Sequence, residues 1–378
     1  MQPSVPWRLV TRTPLLKKVD GEGPGLFLTV GPRAIAIEAM AELRLVLNRE
    51  DLSLRWEGRL PRGTLVAGWC DANHLLLHLN RATGVWSLDS GSIVWRASGK
   101  GTVWQEQVLI LGEPGRLDIR AIRTGSITRS KPLEIGKAQS MQVVENVLVV
   151  DKGGSLDGIE LPTAEHKWTA FLEKEFPGLA RGRPIYADVF PGSTGHAIVK
   201  YDTGLGQLDL GSGAMRWKSQ VPTDHMPLVS PERIGFFYNG NLVVLDEATG
   251  AQIAAVENAA ETLWEARPCV HGGWMVVVDE RGHIVTVAMS DGKLVGVQKE
   301  KGIGFRGCAS VDGRLLVGGL DGALWVYEPA QQTPSRSEGR RKRPDVAKQS
   351  TPASLPRPAR GNRSRGTRAP GSTKARRG

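Results

Sequence analysis

A chain of 378 residues, 40% of them hydrophobic, can bury a large core, and its formal net charge of +10 comes from 49 Lys and Arg against 39 Asp and Glu. No apolar run reaches the roughly 18–20 residues a membrane helix needs, and residues 1–10 carry no stretch of signal-peptide type. Cysteines stand only at 70, 269 and 308, too few and too scattered for a disulfide framework or a Cys-x-x-Cys metal site, so the expectation is a reducing, cytoplasmic setting.

Taken in chain order, the apolar segments repeat. Ser4-Val-Pro-Trp7 comes first and resembles the ends of later strands at Trp56, Trp95 and Trp217. A double run then recurs at 43–56, 84–95, 117–128, 156–168, 207–217, 242–253 and 284–295, with a half copy at 323–328. In each copy apolar residues alternate, a short turn with Asp or Gly intervenes, and several second runs end on Trp. Period-2 alternation puts every second side chain on a buried face, and Gly supplies the positive φ of a tight turn, so each copy is predicted to be a β-hairpin. A third apolar run precedes each hairpin, as at 74–79, 147–150 and 275–278, and a shorter one precedes that, as at 267–271 and 307–311. Four strands per unit at a period near forty residues predict an eight-bladed β-propeller over 1–328, with seven blades as the alternative. The half copy lacks an outer strand, and the residues near Trp7 are expected to supply it and close the ring, since an open ring would expose unpaired edges. One insertion, 169–183, brings Phe171, Leu172 and Phe176 to one helical face and predicts a short helix.

Residues 329–378 are a different material. They hold 14 Lys and Arg against Glu338 and Asp345, a balance of +12, which leaves −2 for the first 328 residues. With no Phe, Tyr, Trp, Ile or Met, the segment cannot bury enough apolar surface to offset its ordering entropy, and a disordered tail is expected. Its basic runs, Arg340, Arg341, Lys342 and Arg343, then Arg363 and Arg365, then Arg376 and Arg377, are candidate polyanion-binding residues. Without aromatic residues to stack on bases, any nucleic-acid contact there would be nonspecific.

Leu245-Asp-Glu-Ala-Thr-Gly250 and Leu208-Asp-Leu-Gly-Ser-Gly-Ala-Met-Arg-Trp217 resemble the repeat of the quinoprotein-like (PQQ-like) propellers. The resemblance covers most of 1–328, with Arg129, Ala254 and Val295 near places where Trp would be expected. It implies a Trp packed between neighbouring blades. A WD40-type strand ending in Trp-Asp is absent.

Quinone-dependent enzymes of that family are similar to one another in adjacent cysteines and an acidic Ca²⁺ site, and neither is present here. His74 and His78 are four apart, but on a strand that spacing is about 13 Å, too far for one ion. The Asp-Gly pairs at 157, 291, 312 and 321 are predicted to be hairpin turns, Gly204-Leu-Gly206 and Gly302-Ile-Gly304 loop glycines, and Asp202, Asp209 and Asp246 anchors for turn amides. The cysteines are expected to pack as small buried hydrophobes. No catalytic, cofactor or metal residue emerges. The expectation is a monomeric, non-catalytic scaffold that binds a protein partner on one rim, without cofactor or membrane, with the tail reaching an acidic partner or nucleic acid. The alternative is a ligand-binding propeller, including a quinone-dependent enzyme, working through its central channel.

Overall fold

The computed structural model describes residues 7–16, 25–39, 42–60, 64–112, 115–133, 135, 138–175, 187–201, 204–220, 226–230, 232–238, 241–257 and 268–330. Among these residues thirty-two strands form eight antiparallel four-stranded sheets, each a blade, and in the first seven the strands follow one another from the innermost to the outermost. Blades 1 to 7 span 26–57, 64–98, 100–132, 140–171, 187–219, 228–256 and 269–299. Blade 8 takes its three inner strands from 305–329 and its outer strand from the other end of the chain, Trp7–Pro14. The chain is therefore an eight-bladed propeller closed by its N-terminal strand.

The alternating pattern does what it should. Second and third strands such as Val147–Asp151 and Ala323–Pro329 bury nearly every residue, because both faces pack on neighbouring blades. Outer strands such as Ser92–Ser98 alternate exposed and half-buried residues. The cores lie between blades: Val149 and Leu156 of blade 4 pack with Val199 and Leu208 of blade 5, and Val276 of blade 7 packs with Val317 of blade 8.

The turn before each outer strand carries the repeat's chemistry. Asp246 Oδ1 accepts from the amide and the hydroxyl of Thr249, at 3.0 and 2.9 Å, and Asp209 does the same for Ser212. Gly250 and Gly213 follow at φ +69° and +74°. In every blade a one-residue register shift then interrupts the pairing of the third and fourth strands. Such a bulge re-aims the next side chain. That side chain is Trp56, Trp95, Trp168 and Trp217 in blades 1, 2, 4 and 5. It is Arg129, Ala254, Gly296 and Thr11 in blades 3, 6, 7 and 8.

Each Trp reaches into the next blade. The indole N–H of Trp95 donates to the carbonyl of Ile122, that of Trp168 to Leu210 and that of Trp217 to Glu247. Its ring lies on the turn glycine: a Cβ at Gly213 would stand 2.6 Å from the Trp168 ring, and one at Gly250 2.5 Å from Trp217. The inter-blade Trp is thus present at four seams.

Four expectations are corrected. Trp7 is not the repeat Trp of blade 8, because it opens the strand opposite Pro329 and Thr11 takes the position after the bulge. In blade 7 that position belongs to Gly296, and Val295 is the bulge. Asp157-Gly158 lies inside the strand Ser155–Glu160, where the missing Cβ of Gly158 makes room for the Trp168 ring and Asp157 pairs with Lys152 at 2.8 Å. Gly204 and Gly206 belong to the strand Gly204–Asp209 rather than to a loop. The other Asp-Gly pairs, at 291, 312 and 321, are turns. The expected helix is a single turn, Leu172–Glu175, with Leu172 buried and Phe171 exposed at the preceding strand's end. Phe176 and Asp202 lie outside the described residues.

Candidate binding surfaces

Hairpin topology sorts the connections onto two rims. Turns between second and third strands, with the links between blades, form one. Turns between first and second and between third and fourth strands form the other. The turns near 80–83, 152–155 and 280–282 therefore share one rim.

The ionisable side chains singled out in the sequence are tied into turns and seams. His74 Nδ1 lies 2.9 Å from Asp71, and His78 Nε2 lies 3.2 Å from the carbonyl of Gly101 in the next blade. Asp279 accepts from the amides of Arg281 and His283 and faces the His283 ring at 2.8 Å. Glu247, 1% exposed, accepts from Gln207 and from the Ser193 amide of blade 5. Asp151 accepts from the amides of Gly153 and Ala187, although burial, the larger effect, pushes its carboxyl above the usual range. His271 stacks edge-on against Trp7 at 4.9 Å, and burial lowers its pKa. Among the described residues, no three metal-ligating side chains come together. No described helix is long and apolar enough to cross a membrane.

All three cysteines are free and buried. Burial pushes the Cys70 thiol up to about 12. Cys269 and Cys308, on the inner strands of blades 7 and 8, are neighbours. A hydrogen bond with Cys308, then burial, raises the Cys269 thiol, and Cys308 Sγ also donates to the carbonyl of Val276 at 3.4 Å. The tail candidates Arg340, Arg341, Lys342, Arg343, Arg363, Arg365, Arg376 and Arg377 lie outside the described residues.

One pocket, about 540 Å³, opens at the seam between blades 3 and 4, where Trp104, Glu106, Ile119, Thr128, Arg129 and Pro162 are among the residues that line it. Both halves of the Trp–Gly lock are replaced there. Arg129 stands for the Trp and bonds the carbonyl of Pro162, and Ala164 stands for the turn glycine at φ +57°. A concentration of charge around this seam escaped the sequence reading. Residues 116–132 hold Arg116, Arg120, Arg123, Arg129 and Lys131 against Asp118 alone. A local count would have found it, but the average of −2 over 328 residues hid it.

The described blades define the class: this is an eight-bladed β-propeller. Similar folds occur in the crystal structures of BamB from Moraxella catarrhalis (TM-score 0.58, 14% identity, 85% of this chain and 99% of that one) and Sqt1 from Saccharomyces cerevisiae (0.59, 12%, 85% and 100%). The computationally designed Ika8 protein is another (0.61, 13%, 83% and 99%). At these identities the likeness is one of fold. No protein-family model matches the chain, and no curated protein matches it in sequence.

Proposed function

We propose that the propeller is a non-catalytic scaffold that presents a rim to a protein partner, and that its basic tail adds contact with an acidic partner or with nucleic acid. One observation carries this reading. The side chains that could do chemistry, among them Asp209, Asp246, Asp279, Glu247, His74 and His283, are engaged in holding turns and joining blades. What remains for function is a rigid disc with two loop-bearing rims, a composite surface of the kind that gains affinity from pre-organisation. The three free thiols support a reducing, cytoplasmic setting. A monomer fits a ring that is closed within one chain.

Crosslinking the full chain to a partner purified with it at fixed stoichiometry tests the scaffold. Crosslinks concentrated on the turns of one rim are expected. Crosslinks confined to the tail would overturn the rim assignment, and turnover of a small substrate would overturn the non-catalytic one. The tail is tested separately by comparing nucleic-acid retention at low salt between the full chain and a chain ending at Gln331. Equal retention rejects tail binding, because the counterions released by basic residues should make retention both tail-dependent and salt-sensitive.

A further inference from the structure

We infer that the outer strand of blade 3, Ile127–Pro132, is a docking edge for an acidic, extended peptide segment of another protein, with one apolar side chain of that segment seated in the neighbouring pocket. The inference rests on the scaffold reading but uses a surface on the perimeter of the disc rather than a rim. Ile127–Pro132 is the last strand of its sheet, so one row of its backbone donors and acceptors is unpaired within the blade. Such an edge is a template for an added strand.

Charge selects what can be added. The third and fourth strands of blade 3 and their turn carry five cations and one carboxylate. The corresponding stretch of blade 6, 241–257, has Asp246, Glu247 and Glu257 and no cation. The blade 3 cations flank the edge on both faces. On one face Arg129 and Lys131 reach the carbonyls of Pro162 and Thr163 in blade 4. On the other, Arg116 bonds Ser130 at 2.5 Å, and Arg116 and Arg120 share Asp118 at 2.9 and 3.0 Å. That single carboxylate is only 14% exposed and is saturated by these partners and by Ser130. Arg116 is 57% exposed, and Arg123 and Arg129 are exposed as well. A strand laid along this edge would put alternate side chains on both faces, so carboxylates on either face meet a guanidinium or ammonium group. The same cations repel a basic or second identical edge, which supplies specificity.

The free edge argues for peptide over nucleic acid, which has no main-chain amides to pair with it, and the pocket offers a second contact. It adjoins the edge through Thr128 and Arg129; Trp104, Ile119 and Pro162 give it one apolar wall that an aliphatic side chain can cover, while Gln105, Glu106 and Gln107 make the opposite lining polar.

The test uses the full chain at physiological salt and a fluorescein-labelled twelve-residue peptide alternating Glu and Leu, read by anisotropy. A second peptide with Glu replaced by Lys is expected not to bind. Binding of the first is expected to fall at least tenfold in Arg116→Glu/Arg129→Glu, and also in the milder Arg123→Glu/Lys131→Glu, at an exposed and a half-buried position. The tail is unchanged in both variants, so equal binding by wild type and variants overturns the inference. An N-methylated version of the acidic peptide, blocked along one bonding edge, tests strand addition on the unaltered protein: a tenfold loss is expected, and undiminished binding overturns it. A single-stranded oligonucleotide whose binding falls in the variants, while the peptide's does not, assigns the surface to phosphates and likewise overturns it. None of these outcomes bears on rim crosslinks, so the scaffold reading stands or falls separately.

Discussion

A positive φ means different things at Gly213 and at Ala164. Gly213 has φ +74° and a tryptophan ring where a Cβ would go, so Gly213→Ala meets both backbone strain and the Trp168 indole. A loss of roughly 2–3 kcal/mol is expected in urea unfolding, of the order seen when a side chain is forced into a packed site. Ala164 has φ +57°, and the residue after the bulge in blade 3 that would cover it is Arg129 rather than a tryptophan. Ala164 is also 2% exposed, so Ala164→Gly sets strain relief against a lost buried methyl and a freer unfolded chain, and a change within about 1 kcal/mol of zero is expected. Backbone strain alone gives the two substitutions opposite signs, so a loss at Gly213 well above the change at Ala164 is what assigns the excess to the stacked ring. The thiols give a second residue-scale expectation. Cys70 is buried with its pKa pushed up to about 12, so iodoacetamide at pH 8 should leave it unmodified until urea unfolds the blade. Prompt labelling of the native chain would show that the inner strand opens locally. At this scale the sequence was legible where a residue type serves one purpose. Asp209 and Asp246 hold turn amides as their spacing implied. Gly158, Gly204 and Gly206 misled, because glycine marks a tight turn and a crowded strand alike.

At the scale of the strand, the closing segment Trp7–Pro14 joins both ends of the propeller. It pairs with Ala323–Pro329, Arg8 meets Glu328 at 2.9 Å, and Arg12 spans Asp321 at 2.6 Å and the Trp325 ring at 5.3 Å. Trp7 itself is 2% exposed and points back to blade 7, where its indole donates to Thr286 at 2.8 Å. Thr286 is the residue paired with Gly296, so the indole arrives from blade 8 beside the site where blade 7 has no tryptophan of its own. Trp7→Ala is expected to cost about 3–5 kcal/mol, the usual range for a buried indole, while Arg8→Ala, at an exposed pair, should change stability by less than about 1 kcal/mol. Deleting residues 1–12 removes the indole and most of the pairing, and should sharply lower the melting temperature in scanning calorimetry. An unchanged melt would mean that the ring closes without this strand. The existence of the closing strand could be read from the half copy at 323–328, but its register could not. Alternation says which residues share a face, and a one-residue bulge shifts the frame without leaving a mark in the pattern. Trp7 was therefore aligned four residues away from Thr11, the true equivalent.

Over the whole ring the eight seams are not equal. Seams 1–2, 2–3, 4–5 and 5–6 each carry an indole laid on a turn of the next blade. Seam 7–8 has Trp7, and seam 8–1 has Arg49 on Asp312 at 2.7 Å, with Arg314 reaching the carbonyl of Glu50. Among the described residues seams 3–4 and 6–7 show no such indole and no ion pair like that of Arg49, although at 6–7 Arg233 reaches the carbonyl of Ser290 at 3.4 Å. The first has Arg129 bonded to a carbonyl beside a pocket, the second Ala254 against Gly292. These two divide the disc into an arc of blades 4–6 and an arc of blades 7, 8, 1, 2 and 3. In a repeat protein, stability is close to a sum of unit and interface terms, so sub-global opening should begin where an interface is poorest. Native-state hydrogen exchange, resolved to strand-length peptides, should then show the outer strands Ile127–Pro132 and Gln252–Val256 exchanging faster than Ser92–Ser98, Glu165–Phe171 and Met215–Ser219. Arg129→Trp with Ala164→Gly would restore both halves of the lock at seam 3–4. In that double variant protection of Ile127–Pro132 should rise towards that of Ser92–Ser98, while Gln252–Val256 stays unchanged. Uniform exchange across the five outer strands, or a double variant that protects both weak seams alike, would show that ring closure rather than the individual indole sets the stability of each seam.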